Sequence, residues 1–207
     1  LESADNNPSS SRTDFNVNGS LQDFSGRLYF SNGQNNKDAY FFLNSTLGDC
    51  PSPDPQGISL VNNGASTTLI PNTTLTIGPN RGITIVGKNV IGNNNNTPVT
   101  ISSPLTGDAE SMLRITGGGI VYLTSASPDF KGKIVVKFNN SRVVLVDDAI
   151  ALLDQCSAED DKGKIDYGYS YAYVDADAPD GREPPYNTPE RAAKTITQAM
   201  SHLAIGG

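Results

Sequence analysis

Residue types that build metal, redox and nucleic-acid sites are scarce in this 207-residue chain. It has no Trp, one His, two Cys, and 15 Lys and Arg against 22 Asp and Glu, for a formal net charge of −7. A face that binds nucleic acid would need more basic residues, because it must neutralise phosphates. No apolar run approaches the roughly 20 residues that span a bilayer. The sequence therefore predicts neither a nucleic-acid partner nor a membrane span.

What the sequence does have is a long series of short strand patterns between Gly57 and Ala149. Segments such as GITIVGKN and GKIVVKFNN contain β-branched runs that end at Gly or Asn, residues that tolerate a positive φ. No helical period separates these segments. Short strands without helical crossovers favour a β-solenoid, with a β-sandwich as the alternative.

In a solenoid, strands of successive coils pair in parallel and place one face of each strand in the core. The inward positions predicted from the pattern are Leu75, Ile77, Ile83, Ile85, Leu113, Ile115, Val135 and Val144. An internal sequence similarity supports the solenoid, because residues 23–30 (DFSGRLYF) match residues 129–136 (DFKGKIVV) by residue class. Their separation fits about five coils of roughly 20 residues each. We interpret the two segments as a structural repeat.

The second of these two similar segments, residues 129–136, lies within a longer stretch of strand and turn patterns. Residues 113–146 (LRITGGGIVYLTSASPDFKGKIVVKFNNSRVVLV) contain a Gly-Gly-Gly turn, an alternating strand, a Phe-x-Gly corner and two more strands. This stretch resembles the passenger repeats of bacterial autotransporters and related surface proteins. The resemblance implies a right-handed parallel β-helix displayed outside the cell, and it carries over no catalytic residue.

Composition divides the chain into four segments. Residues 1–14 are polar and Pro/Ser-rich, typical of a tail that needs a partner to become ordered. Residues 15–156 are the predicted β body, and residues 157–166 are a charged linker. Residues 167–207 contain a Tyr-rich strand, an acidic loop and a helix.

The Tyr-rich strand holds four of the eight tyrosines, Tyr167, Tyr169, Tyr171 and Tyr173, separated by Gly, Ser and Ala. In an extended strand the four rings would share one face and leave the other face nearly bare. Such a set of rings could cap the core, anchor a protein interface or stack on sugar rings. We predict that this strand and the polar tail are assembly elements.

The last segment also predicts the one helix of the chain. Thr188 is a suitable N-cap, Pro189 fits the first helical position, and Glu190 complements the helix N-terminus. The apolar stripe at helical spacing is Ala192, Ile196, Ala199, Met200 and Leu203.

The approach to this helix carries a second resemblance. The order YVDADAPDG, then Thr-Pro, then KTITQAM is similar to the opening of pectate-lyase-like β-helix proteins, where a Tyr-Val-Asp strand and an Asp/Gly loop precede a capping helix. Arg191-Ala-Ala replaces the usual Pro-Phe of that family. The resemblance implies a carbohydrate-active protein, whose catalytic residues would lie in later coils and cannot be assigned here.

The acidic loop is a candidate cation site. Asp175, Asp177 and Asp180 precede Gly181 and resemble an oxygen cluster for a hard cation, which predicts Ca²⁺ as a cofactor. The spacing differs from that of an EF-hand. The alternative is an exposed acidic turn whose carboxylates accept hydrogen bonds from backbone amides.

The two cysteines, Cys50 and Cys156, lack the spacing of a metal site, and only one histidine, His202, could join them. A disulfide between them would suit an exported chain, and two separate buried thiols are the alternative.

Five Asn-x-Ser/Thr sequons begin at Asn18, Asn44, Asn72, Asn95 and Asn139, and each is a candidate glycosylation site. Other asparagines, Asn63, Asn80, Asn89 and the run 93–96, suit solenoid corners, where stacked amides can bond from coil to coil.

No catalytic constellation stands out. The adjacent Asp147 and Asp148 lie at a strand end and would point to opposite faces, so they form a poor carboxylate pair for glycoside hydrolysis. An active site without histidine would leave the same pattern, so the sequence leaves the question of catalysis open.

Together these features predict an extracellular structural or adhesive subunit that assembles head-to-tail into a filament or surface layer, with itself as partner. The alternatives are a protein that binds or degrades polysaccharide, and a phage or viral fibre.

Overall fold

The fold is an all-β parallel solenoid of about six turns. The computed structural model describes residues 12–32, 37–92, 97–137, 140–160, 163–180, 184 and 186–203. In these ranges, 16 strands form three sheets. Strands of neighbouring coils pair in parallel, as in Phe15 with Phe41 and Leu113 with Ile134. The predicted solenoid is therefore confirmed, and the sandwich is excluded.

Each coil runs through three positions, one in each sheet. Sheet 1 has the spatial order β1 (Arg12–Val17), β3 (Asp38–Leu43), β5 (Thr67–Pro71), β8 (Lys88–Gly92), β11 (Met112–Thr116), β13 (Lys133–Val136) and β15 (Cys156–Ala158). Sheet 2 has the order β6 (Leu75–Ile77), β9 (Val99–Ile101), β12 (Ile120–Leu123), β14 (Arg142–Val146) and β16 (Lys164–Gly168). Sheet 3 has the order β2 (Leu28–Ser31), β4 (Asp54–Val61), β7 (Arg81–Val86) and β10 (Leu105–Thr106). We number the coils one to seven by the strands of sheet 1.

The core consists of inward side chains stacked in columns. One column in sheet 1 runs through Phe15, Phe41, Leu69, Ile91, Ile115, Val136 and Ala158. Six of the eight predicted inward residues, from Leu75 to Ile115 in the set above, are buried in this core. Burial of such columns is the main stabilising contribution to a solenoid.

The predictions for Val135 and Val144 are wrong. Both are buried, but their neighbours Ile134, Val136, Val143 and Leu145 fill the core, so the two valines lie on the outer face. Val144 packs there in a small separate cluster with Val146, Ile120 and Tyr122. Successive side chains of a strand point to opposite faces of the sheet. In a run of consecutive apolar residues either alternate set can be taken as the inward one, and the wrong choice exchanges the inward and outward residues.

The predicted structural repeat is also wrong. Residues 28–30 of the first copy belong to β2 in sheet 3, whereas residues 133–136 of the second copy form β13 in sheet 1. The two segments share only the local transition from an aromatic residue and a glycine corner into a strand.

The corner between the third and fourth coils, where sheet 3 returns to sheet 1, is tight. A single residue, Gly87, joins β7 to β8 with φ of +71°, and a Cβ there would lie 3.0 Å from the Cβ of Asn62. This backbone region favours glycine. Coils vary in length because the other corners hold longer loops, as the Pro-rich segment around Cys50 does.

The stack extends beyond the predicted body at both limits. Residues 12–14, assigned by composition to the tail, form the start of β1, and residues 1–11 lie outside the described residues. At the other limit, most of β15 and most of β16 fall within the predicted linker. A 3₁₀ helix, Asp147–Gln155, stands in the sixth coil and buries Ala149 and Leu152 against the core. None of the helices in the described ranges is long and apolar enough to cross a membrane.

A buried arginine holds the first three coils together. Arg81 in the third coil is fully buried, and its guanidinium donates hydrogen bonds to the carbonyls of Phe24 and Gly26 at 2.6 Å each. It also donates to the carbonyls of Gly48 at 2.6 Å and Gly57 at 3.3 Å, both in the second coil. A buried cation must be compensated by hydrogen-bond acceptors. For Arg81 these acceptors are backbone carbonyl oxygens and not a carboxylate.

We predict that Arg81→Met lowers the free energy of unfolding by about 3 kcal/mol or more, since several carbonyls lose their donor in a buried site. Urea unfolding followed by circular dichroism measures the change. Arg27→Met is the matched control, because the Arg27 side chain is exposed and pairs with Asp54 at the surface. Equal effects of the two substitutions would contradict a special role for Arg81.

Candidate functional site

The two ends of sheet 1 are open strand edges and form the candidate interaction surfaces. Within the described residues, β1 pairs only with β3, and β15 pairs only with β13. Among the described strands, none therefore lies beside the outer edge of β1 or of β15. Such edges pair readily with another chain.

The N-terminal end also exposes part of the core. Phe15 stacks on Phe41 with ring centroids 4.9 Å apart and an interplanar angle of 13°, but it is only half-buried because no described strand lies on its other side. Val17, Leu21 and Leu28 of the first coil are half-buried in the same way and pack against the core. This end is an apolar surface bordered by a strand edge.

At the C-terminal end the core is partly uncovered as well. Ala158 shares the inward column with Val136 and Phe15, yet it is exposed. Eight large apolar side chains are exposed in the described residues, and six of them belong to the last segment: Tyr167, Tyr171, Tyr173, Val174, Ile196 and Met200. Apolar exposure is therefore concentrated after the last full coil.

The predicted tyrosine strand forms only in part. The strand β16 ends at Gly168, and Tyr169 continues in a single parallel bridge to Leu203. The chain then bends, since Ser170 donates from its backbone N–H and its hydroxyl to the carboxylate of Asp147. Tyr171 and Tyr173 remain in contact, with centroids 5.9 Å apart in an edge-on arrangement. The four rings thus do not form one strand face.

The same contact gives Asp147 a structural role. Both of its carboxylate oxygens accept hydrogen bonds from Ser170, at 2.9 and 2.7 Å, and its φ of +53° marks the abrupt end of β14. This arrangement ties the last segment to the solenoid.

The predicted helix is shorter and begins later. Residues Pro189–Arg191 form a 3₁₀ turn, and Thr188 makes no side-chain cap. The α-helix α1 spans Ile196–Met200, and Thr195 caps it in a reciprocal capping box with Gln198.

The helical stripe is divided between a buried and an exposed part. Ala192 and Ala199 are buried, and Ala199 joins Tyr186 and Ala193 in a small core beside Ala172. Ile196 and Met200 remain 67% and 64% exposed. The stripe therefore does not cap the described coils as a unit, and two large apolar side chains stay available for another surface.

The three aspartates of the acidic loop do not come together. Asp175 accepts a hydrogen bond from the backbone N–H of Asp177 at 3.0 Å, and Asp180 pairs with Lys194 at 2.6 Å. In the described part of the chain, no three His, Cys, Asp or Glu side chains are grouped to hold a metal ion. The arrangement is that of an exposed acidic turn, and Gly181 lies outside the described residues.

Three sequon asparagines form a ladder at the corner after sheet 1. Asn44 donates from Nδ2 to Oδ1 of Asn18, and Asn72 donates likewise to Asn44, both at 2.7 Å. Asparagine side chains thus do form hydrogen bonds from coil to coil, but these asparagines belong to the sequons and not to the set for which this bonding was predicted. Asn95 and Asn139 lie outside the described residues.

The asparagines assigned to corners do make structural bonds. The Nδ2 of Asn63 donates to the hydroxyl of Ser31, and that of Asn80 donates to the carbonyl of Cys50. Asn89 is buried in the core and donates to the carbonyls of Leu60 and Val86. The run 93–96 is not among the described residues.

The predicted disulfide is wrong, since both cysteines are free. Cys50 belongs to the second coil and Cys156 begins the seventh, so about five rungs of roughly 4.8 Å separate them along the axis. A disulfide requires Cα atoms within about 7 Å. Burial raises the pKa of Cys156 to about 12, because the thiolate would lose its hydration.

Comparisons with protein families, characterised proteins and solved structures find no match for this chain. The resemblance to autotransporter passengers and to pectate-lyase-like proteins thus rests on short motifs, and the structure supports only their shared β-solenoid architecture.

We predict that unreduced protein unfolded in urea contains two titratable thiols. In the native state at pH 8 both should react slowly with iodoacetamide, because Cys50 is buried and the raised pKa of Cys156 leaves little thiolate. The rate at Cys156 should rise as the pH approaches 12. A Cys156→Ser variant assigns the signals, and the absence of thiols in unreduced, unfolded protein would restore the disulfide.

Proposed function

We propose that this chain is an extracellular structural or adhesive subunit that assembles head-to-tail with copies of itself. The observation that carries the proposal is that one sheet, sheet 1, is open at both ends of the described stack. Assembly into a filament or surface layer would extend that sheet from one copy to the next.

Strand direction supports this mode of contact. All strands of sheet 1 run parallel, so β15 of one copy can meet β1 of the next with the same parallel pairing that joins the coils inside a copy. Two different surfaces meet in such a contact, and repetition produces a fibre unless the rotation closes a ring.

Side-chain size also supports it. Continuing the inward column across the junction would place Ala158 of one copy against Phe15 of the next. The small alanine leaves room for a ring that already stacks on Phe41. The contact would bury apolar surface at both ends, which is favourable at roughly 25 cal/mol per Å².

The exposed residues of the last segment would add to this contact or border it. Tyr and Met are enriched in the centres of protein interfaces, because they bury large areas. The extracellular location is supported by composition, which combines a low content of Lys and Arg with Asn- and Gly-rich coils.

We predict that Ala158→Lys abolishes assembly, because it places a charge in the inward column at the open end. Ser157→Lys is the matched control, since it adds the same charge to the same strand on the outer face of the sheet. Sedimentation velocity over a range of concentrations, with negative-stain microscopy, measures the assembled fraction. Circular dichroism verifies that both variants are folded.

Wild-type protein that stays monomeric at all concentrations would overturn the proposed function. The same conclusion would follow if Ala158→Lys assembled as wild type does.

A further inference from the structure

A groove crosses the outer face of sheet 1, away from both ends of the stack. Its volume is about 440 Å³, within the range of small-molecule sites. It extends from Tyr40 in the second coil to Arg114 in the fifth. Three rungs separate these residues, or about 14 Å at the usual strand spacing.

The groove exists because side chains in the middle coils are small. Between Tyr40 and Arg114, the same column of outward positions holds Thr68 and Val90. In the next column Gly92 lies between Ile70 and Thr116, and a Cβ there would come within 3.2 Å of Ile70. A larger residue at position 92 would therefore raise the floor of the groove.

The lining combines apolar surface with hydroxyl groups. Ile70 and Val90 provide an apolar floor, with the hydroxyl-bearing Thr68 and Thr116 beside it. At the end that Tyr40 lines, three rungs from Arg114, the lining also includes Asp38, whose carboxylate accepts a hydrogen bond from the backbone N–H of Ser66. This combination suits a sugar ring, which has an apolar C–H face and a rim of hydroxyls that form hydrogen bonds.

Arg114 supplies a charge that the protein uses only weakly. Its Nε is shielded from solvent and has no hydrogen-bond partner in the described residues. Its nearest ion-pair contact, to Glu159, is 3.6 Å long, and Glu159 is held by Lys137 at 2.5 Å. The Arg114 side chain as a whole is 35% exposed, so a ligand in the groove can reach the guanidinium, and a planar carboxylate fits the guanidinium fork best.

We propose that this groove binds a saccharide that presents a carboxylate to Arg114. The sugar ring would lie over Ile70 and Val90, and its hydroxyls would contact the threonines. The net charge of −7, together with a groove lining in which Arg114 is the one cation and Asp38 is a carboxylate, favours a ligand with one acidic group over a dense polyanion. The site lies on a face of the stack, so it does not depend on the head-to-tail contact.

The test titrates the full chain with glucuronic acid, with glucose and with acetate, followed by amide chemical shifts in ¹H–¹⁵N spectra. We expect glucuronic acid to bind at least about tenfold more tightly than either of the other two, because it alone offers both ring and carboxylate. Shifts should centre on strands β5, β8 and β11.

Two variants probe the two parts of the site. Arg114→Gln should weaken binding of glucuronic acid at least about tenfold by removing the charge-assisted hydrogen bonds. Gly92→Leu should block it by filling the floor. Lys133→Gln, which removes a charge from the exposed outer face of β13 outside the groove, should bind as wild type does. Thermal melts show whether each variant is folded.

Three results would overturn the proposal: no binding of glucuronic acid, equal binding of glucose or acetate, or unchanged binding by folded Arg114→Gln and Gly92→Leu. Sedimentation of Gly92→Leu separates this outcome from the assembly proposal, since Gly92 lies in the fourth coil away from both ends, whereas Arg114 pairs with Glu159 beside the terminal strand β15.

Discussion

The register between coils is the constraint on which the rest of this structure depends. Each inward position must lie directly on the inward position of the next coil, so that Phe15, Phe41 and Leu69 form one continuous column. A shift of one residue would move apolar side chains to the surface across a whole strand. The corners absorb the variation in coil length, which lets the register survive between Ala39 and Thr67 as well as between Leu113 and Ile134.

Where regular pairing is sparse, polar contacts preserve that register. In the first two coils, sheet 2 is reduced to a single bridge between Leu21 and Leu47. Arg81 bonds to carbonyls of both coils beside this bridge, and the ladder from Asn18 to Asn72 joins the same coils at another corner. These bonds replace ladder hydrogen bonds, and they fix the spacing of the coils as a strand pair would.

The sequence was sufficient to predict features that depend on neighbouring residues, such as short strands and turns. It was insufficient for features that depend on which residues of distant coils come together. Short β-branched runs without helical periods were enough to predict the parallel solenoid. The parity of a run such as RVVLV was not predictable, since every residue in it is apolar enough for either face. Arg81 carries no motif, because its acceptors lie 24 to 57 residues away. The disulfide prediction failed for a similar reason, because the separation of the two cysteines along the stack was not readable from their spacing. The aspartates of the acidic loop are close in sequence, but Asp175 accepts a hydrogen bond within its own turn and Asp180 pairs with Lys194.

The two proposed surfaces lie on different parts of sheet 1: the assembly contacts at its two end strands and the groove on its outer face. This separation has a consequence for adhesion. Stacking of copies through the ends of sheet 1 would continue the sheet, so the outer groove would recur once in every seven coils, about every 34 Å. A single shallow groove would bind a sugar weakly, because only one face of the ring is covered. An array of grooves at a fixed spacing would bind a repetitive glycan surface far more strongly without any new contact, since each bound site raises the effective concentration at the next. Assembly would then set the strength of adhesion, and the groove would set its specificity.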